Sequence, residues 1–189
     1  FSGKVTLTFE LSDPASDLTL DFGGGTVQRL EVNGRSVVID YNGYFLTLPP
    51  AALQRGANTA TIEFEHPYDI DGTGLHRFVD PVDGLTYLYT YLWPYYANRL
   101  FPVFDQPNLK ATISLSVLAP QDWTVVSTGT ASTEAVGSGA TLWRFSTTPP
   151  MSSYVFSLHA GPYRIWQDDA DGVPIRLMAR QSLAPYVAV

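Results

Sequence analysis

The chain has no cysteine. That excludes a disulfide framework and a thiolate metal site, and it leaves the redox compartment undecided, with the cytoplasm favoured. Basic residues are scarce: 11 Lys and Arg stand against 18 Asp and Glu, for a formal net charge of −7 and a pI near 4.7. A nucleic-acid binder needs a basic face to neutralise phosphates, and a polybasic membrane anchor needs the same, so the balance argues against both. No apolar run approaches the roughly 18–20 residues that cross a bilayer, and no membrane segment is expected. A sustained 3.6-residue apolar period is missing too, so no helix longer than about two turns is expected.

Against these absences, 45% of the 189 residues are hydrophobic and 13% aromatic, a globular composition long enough to bury a sound core. Alternation of period two dominates. Val5, Leu7, Phe9 and Leu11 share one face of Lys4–Leu11, and Leu18, Leu20 and Phe22 repeat the pattern. Asn33-Gly34 between Thr26–Val32 and Arg35–Asp40 is a strong hairpin signal, because both turn positions need positive φ. Further strands are expected at Tyr44–Leu48, Thr59–Glu65, Ala111–Leu118, Trp123–Thr128, Ala140–Ser146 and Tyr154–Ala160. Gly137-Ser138-Gly139 is read as closing one hairpin, and a last hairpin is expected across Asp168–Gly172. The reading is one all-β domain over residues 1–189, a β-sandwich or pair of packed sheets.

Residues 66–84, rich in Asp, Gly and Pro, read as a loop long enough to be functional. Its aspartates Asp69, Asp71, Asp80 and Asp83, and Asp168, Asp169 and Asp171 further on, are oxygen donors of the kind Ca²⁺ takes. Turn chemistry accounts for them better, since no bidentate glutamate closes an EF-hand pattern. Of the three histidines, His66 and His76 are expected exposed on loops and His159 hydrogen-bonded within a strand. None forms a zincin pair, and neither a Gly-x-Ser-x-Gly elbow nor a phosphate loop is present. On its own the chain carries no active site, and no metal or cofactor is expected in it.

The densest aromatic run, Tyr87–Lys110, reads as an irregular crossing. Tyr87, Tyr89 and Tyr91 are placed on one strand face, Leu88 and Leu92 on the other, with Trp93, Tyr95 and Tyr96 beyond. About half of these rings fill the core, and the others are expected to face a cleft, because tyrosine tips need polar partners. An aromatic platform for carbohydrate or peptide, or a purely structural module, is the alternative. Pro102, Asp105 and Pro107 read as structural: proline fixes φ, and an Asp side chain binds nearby backbone amides.

Arg99, Phe101, Pro102, Phe104, Asp105, Pro107, Leu109, Lys110 and Ala111, followed by Trp123, Thr124, Val125 and Ser127, form an ordered signature. It resembles the N-terminal domain of the aminopeptidase N family of gluzincin zinc metallopeptidases, and the lead-in Gly74–Thr90 and the segments Leu20–Val32 and Met151–Tyr163 fit the same resemblance. The resemblance implies a large, curved, saddle-like β-sandwich of mostly antiparallel and mixed sheets. It implies that the domain packs on a downstream catalytic domain holding the zinc, walls one side of the peptide-substrate cleft, and is inert alone. On this reading the chain is a piece of a longer protein, lacking its first strands and its catalytic domain. Tyr91, Trp93 and Tyr95 would lie at the cleft edge. Tyr91 and Trp93 stand where relatives carry a Gln-x-Glu pair that lines the first side-chain pocket and holds the substrate amine. Trp93 offers that ammonium a cation–π face instead of a carboxylate. Val103 replaces a common cysteine. The resemblance implies altered specificity, or compensation by the catalytic domain's own glutamates, before lost activity.

Overall fold

In the first strands of the chain, alternation of apolar and polar residues marks a face buried against a partner. The computed structural model describes residues 1–137 and 139–188, so Ser138 of the expected Gly137–Gly139 turn lies outside the described residues. The backbone sorts into two compact units. One is Phe1–Leu75 with Tyr91–Ala111 and Met151–Val155; the other is His76–Thr90, Thr112–Pro150 and the segment from Phe156 onward.

The first unit holds β1 (Ser2–Leu11), β2 (Leu18–Asp21), β3 (Thr26–Val32), β4 (Arg35–Ser36), β5 (Phe45–Leu48) and β6 (Gly56–Glu65). One sheet has the order β1-β6-β3-β4, while β2 and β5 pair separately. Val5, Leu7, Phe9 and Leu11 line the inner face of β1, as their spacing predicts, and pack on a core that includes Leu20, Phe22, Leu30, Val32, Leu46, Leu48, Ile62 and Phe64. Each such side chain stabilises the unit by about 1.5–3 kcal/mol relative to exposure. The Asn33-Gly34 turn is realised with φ of 51° and 76°, the pair a two-residue hairpin needs. The strand after it is shorter than expected: its register with β3 ends at Ser36, with one further bond from Val37 N–H to Leu30 O at 3.0 Å. Buried Asn58 anchors the hairpin tip: its Oδ1 accepts from Asn33 Nδ2 at 2.9 Å, and Asn33 Oδ1 accepts from Thr59 N–H at 2.9 Å.

In the second unit lie β7 (Gly74–Val79, begun in the last residues of the first unit), β8 (Thr86–Tyr91), β9 (Ser116–Pro120), β10 (Thr124–Ser127) and β11 (Ala131–Val136). They are followed by β12 (Ala140–Phe145), β13 (Leu158–Gly161), β14 (Arg164–Ala170) and β15 (Val173–Ala179). The sheet orders are β10-β13-β8-β7, β11-β12-β9 and β14-β15. All-β architecture is therefore what the alternation implied, and every strand register resolved among the described residues is antiparallel. The longest helical segment among the described residues is the 3-10 stretch Gln181–Tyr186.

Three local expectations are corrected. The 66–84 stretch is not all loop, since β7 runs through it; Leu75 and His76 are both buried, which breaks the alternation that would have revealed it. Regular pairing after the crossing starts at Ser116 rather than Ala111, although Ile113, Leu115 and Val117 are the more buried residues there. Tyr154–Ala160 opens as the 3-10 turn Ser153–Val155 and becomes strand only at Leu158. The final hairpin closes tightly on Asp171-Gly172, with φ of 54° and 82°.

Candidate functional site

The crossing starts on β8, where Tyr87 and Leu88 are both buried, and surfaces as the strand ends. Beyond the strand, buried Leu92 and Ala97 hold the backbone down. Tyr96 N–H donates to Leu92 O at 2.9 Å, the Trp93–Pro94 peptide is cis, and Ala97–Arg99 forms a 3-10 turn. Around these anchors Tyr91, Trp93 and Tyr95 stand 47%, 58% and 46% exposed. All three residues expected at an edge thus reach the surface of one short stretch. Tyr89 and Tyr96 are half-buried.

Tyr95 has a fixed position. Its hydroxyl donates to Asp21 Oδ1, at the end of β2, and Asp21 Oδ2 accepts from Asp105 N–H at 3.0 Å. Desolvation raises the Tyr95 pKa, and the hydrogen bond to Asp21 raises it further. Backbone pairing strengthens the junction: Asp21 N–H donates to Val103 O at 2.8 Å and Val103 N–H returns to Asp21 O at 3.1 Å. Asp21 carried no signal in the sequence. It falls on the polar register of an ordinary strand, and its partners lie 74 to 84 residues further on.

The second half of the crossing points inward. Asp105, 3% exposed, accepts from Asn98 N–H at 3.1 Å, from Asn98 Nδ2 at 3.0 Å and from Ser153 Oγ at 2.6 Å. Pro102 is fully buried, Phe104 meets Phe9 edge-on at 5.2 Å between ring centroids, and Pro107 O accepts from Ser152 Oγ at 2.6 Å. Lys110 is exposed. Arg99 reaches back to the 66–74 segment, donating to Asp69, to Asp71 Oδ2 at 3.0 Å and to Thr73 Oγ1 at 2.5 Å. Gly74 makes room for this clamp: at its φ of +59°, a Cβ would land on the Asp69 carboxylate.

The other aspartates serve turns and ion pairs. Hydrogen bonds from Thr73 hold the Asp71 carboxyl well below the usual carboxylate range, with Arg99 adding to the effect. Burial pushes the Asp69 carboxyl up, against the nearby Arg99 charge. Asp80 Oδ2 accepts from Arg180 Nη1 at 2.8 Å and from Ser182 Oγ at 2.6 Å, and Asp83 Oδ2 accepts from Ser182 N–H at 3.0 Å. Asp169 Oδ1 accepts from Gly172 N–H at 2.7 Å within the last turn.

The histidines are not where loop logic put them. His66 is buried, with Nε2 2.7 Å from Gly23 O, and His76 is buried on β7 with its ring 4.8 Å from that of Tyr89. Loop residues are exposed by default only when nothing distant covers them, and here the Gly23–Gly25 and β8 segments do. His159 is half-buried on β13, opposite Tyr89, and burial lowers its pKa. Among the described residues no three His, Asp or Glu gather to hold a metal.

Comparison with known proteins adds an independent line. Residues 1–155 match the family model of the Peptidase M1 N-terminal domain. The chain is 35% identical over 195 residues to "Aminopeptidase N" of Streptomyces lividans, covering 99% of this chain and 22% of that relative. It is 30% identical over 196 residues to "Aminopeptidase N" of Acetobacter pasteurianus, covering 96% and 54% respectively. Human "Aminopeptidase Q" is 31% identical over 180 residues, covering 91% of this chain and 18% of that protein. The chain thus spans about a fifth to about half the length of these relatives.

Proposed function

The chain belongs to the Peptidase M1 N-terminal domain family, and from that membership we propose that it is the non-catalytic β domain of a zinc-dependent aminopeptidase. In this reading it packs on a downstream catalytic domain that holds the zinc. It forms one wall of the cleft from which N-terminal residues of peptides are released, with Tyr91, Trp93 and Tyr95 along the cleft edge.

The observation that carries the reading is the match itself: it runs through most of this chain, while the chain spans only 22% of the Streptomyces relative. Two structural features support it. The first is the exposed aromatic strip, which is more apolar than a solvated edge requires. The second is the β14–β15 pair, whose Val173, Ile175 and Leu177 recur at period two and are all exposed. A two-stranded ribbon is marginal alone, and an apolar face on one calls for a covering partner. A catalytic domain of the same polypeptide meets that need.

The test is an assay of the full-length protein against peptides with free N-termini, alongside residues 1–189 alone. Chelator-sensitive release of N-terminal residues by the full-length protein, with none from the 1–189 fragment, is the expected result. Hydrolysis by the fragment, or a full-length protein without peptidase activity, overturns the proposal.

A further inference from the structure

Resting on the cleft reading above, we propose that Asp21 is a positioning residue for Tyr95, and that the strip it organises selects peptides with an aromatic or large apolar side chain at the end that enters the cleft. The strip is built to offer rings. Tyr91, Trp93 and Tyr95 recur at every second residue and are each about half exposed. Buried Leu92 and Ala97 prevent the backbone beneath them from peeling away. A phenol free to rotate would lose part of any stacking energy to ordering. Here the Tyr95 hydroxyl is bonded to Asp21, so its ring is held in place before a ligand arrives. Phe45, also exposed, sits directly opposite Asp21 in the β2–β5 register and therefore on the same face of that pair. Tyr95 and Phe45 are thus both neighbours of Asp21.

That carboxylate is tied into the frame on both of its oxygens. Asp21 spends one oxygen on Tyr95 and the other on Asp105 N–H, and both Asp105 oxygens are engaged by Asn98 and Ser153. An aromatic or large aliphatic side chain gains offset or edge contacts with the rings. The polar network therefore serves as a frame, and what it holds outward is an aromatic ring.

The test uses the full-length protein with substrates differing only in the N-terminal residue: Phe, Leu, Ala and Arg. Trp93→Ala is expected to raise KM for Phe and Leu substrates about three- to tenfold more than for the Ala substrate, the range ring contacts are worth. Asp21→Asn and Tyr95→Phe are each expected to raise KM for the Phe substrate by a smaller factor. Their double variant should be no worse than either single change, as required if Asp21 acts through Tyr95. Unchanged Phe-over-Ala selectivity in Trp93→Ala, or a preference for Arg, overturns the inference while leaving the proposed function intact. Should the full-length protein cleave nothing, the proposed function fails, and binding decides the inference. With 5-fluorotryptophan incorporated, the Trp93 fluorine line, assigned by its loss in Trp93→Phe, should shift with a Phe peptide and not with an Ala or Arg peptide. No shift, or a shift with the Arg peptide, sinks the idea.

Discussion

Two neighbouring stretches of the same crossing, Tyr91–Tyr95 and Arg99–Asp105, share a vocabulary of aromatics and prolines yet have opposite fates. The first keeps three large rings about half in water. The second buries Asp105 and Pro102 and clamps a distant segment through Arg99. Hydrophobicity does not separate them, since the buried half contains the charges. Polar partners do. A buried carboxylate is tolerated where every oxygen has a donor, and Asp105 finds its donors in Asn98 and Ser153. The exposed half needs one such anchor, Asp21, and uses it to hold a ring outward.

The sharpest way to break this contrast is Asp105→Ala. It strands buried donors on Asn98 and Ser153 and is expected to cost about 3–4 kcal/mol, read from the urea midpoint. Next comes Arg99→Met, which leaves the buried Asp69 carboxylate without its cation. A loss of about 2–3 kcal/mol is expected, below the value for a fully buried pair because Arg99 is partly exposed. Trp93→Glu should change stability by less than about 0.5 kcal/mol, as exposed sites do, while altering the peptidase activity or specificity of the full-length protein. If denaturation shows Trp93→Glu as costly as Asp105→Ala, the division into frame and edge is wrong.

Titration offers the finest discrimination, because acid and alkali address different halves. The folded-state pKa of Asp71 is depressed, chiefly by Thr73, with Arg99 adding to it. Its stabilisation is therefore present above the ordinary carboxylate pKa of about 4 and is lost as pH falls through the lower folded value. Asp71→Asn should flatten the acid limb of a stability-against-pH curve. Tyr95 runs the other way: its folded pKa is raised by burial and by Asp21. Its contribution is complete below the ordinary phenol value of about 10 and is lost as pH rises through the higher folded one. Tyr95→Phe should flatten only the alkaline limb. Matching effects of both variants on one limb would merge the two regions into a single network.

How much was legible in advance follows the same physics. β1 was readable because one of its faces meets a core and the other meets solvent, so side-chain alternation reports burial directly. The Asn33-Gly34 turn was readable because only certain residues accept two successive positive φ values. β7 was not, because its buried Leu75 and His76 are adjacent in sequence and imitate no period. Nor was β11, whose six residues are all exposed and therefore carry no apolar pattern. At the site, aromatic density implied that some rings of the crossing face outward without saying which, whereas Asp21 and Phe45 were invisible because neither belongs to the crossing.

Composition and local pattern thus determined an acidic, cysteine-free, all-β chain with its main strands and turns, and an ordered Arg99–Ala111 signature identified its family. Those properties are local: they depend on dihedral preferences and on one-sided burial within a few residues. Only the tertiary structure decided which rings of the crossing stay exposed, which aspartate holds them, and which histidines disappear from solvent. Each of those outcomes depends on hydrogen-bond partners dozens of residues away, such as Gly23 for His66 and Asp21 for Tyr95. No spacing along the chain encodes a contact of that kind.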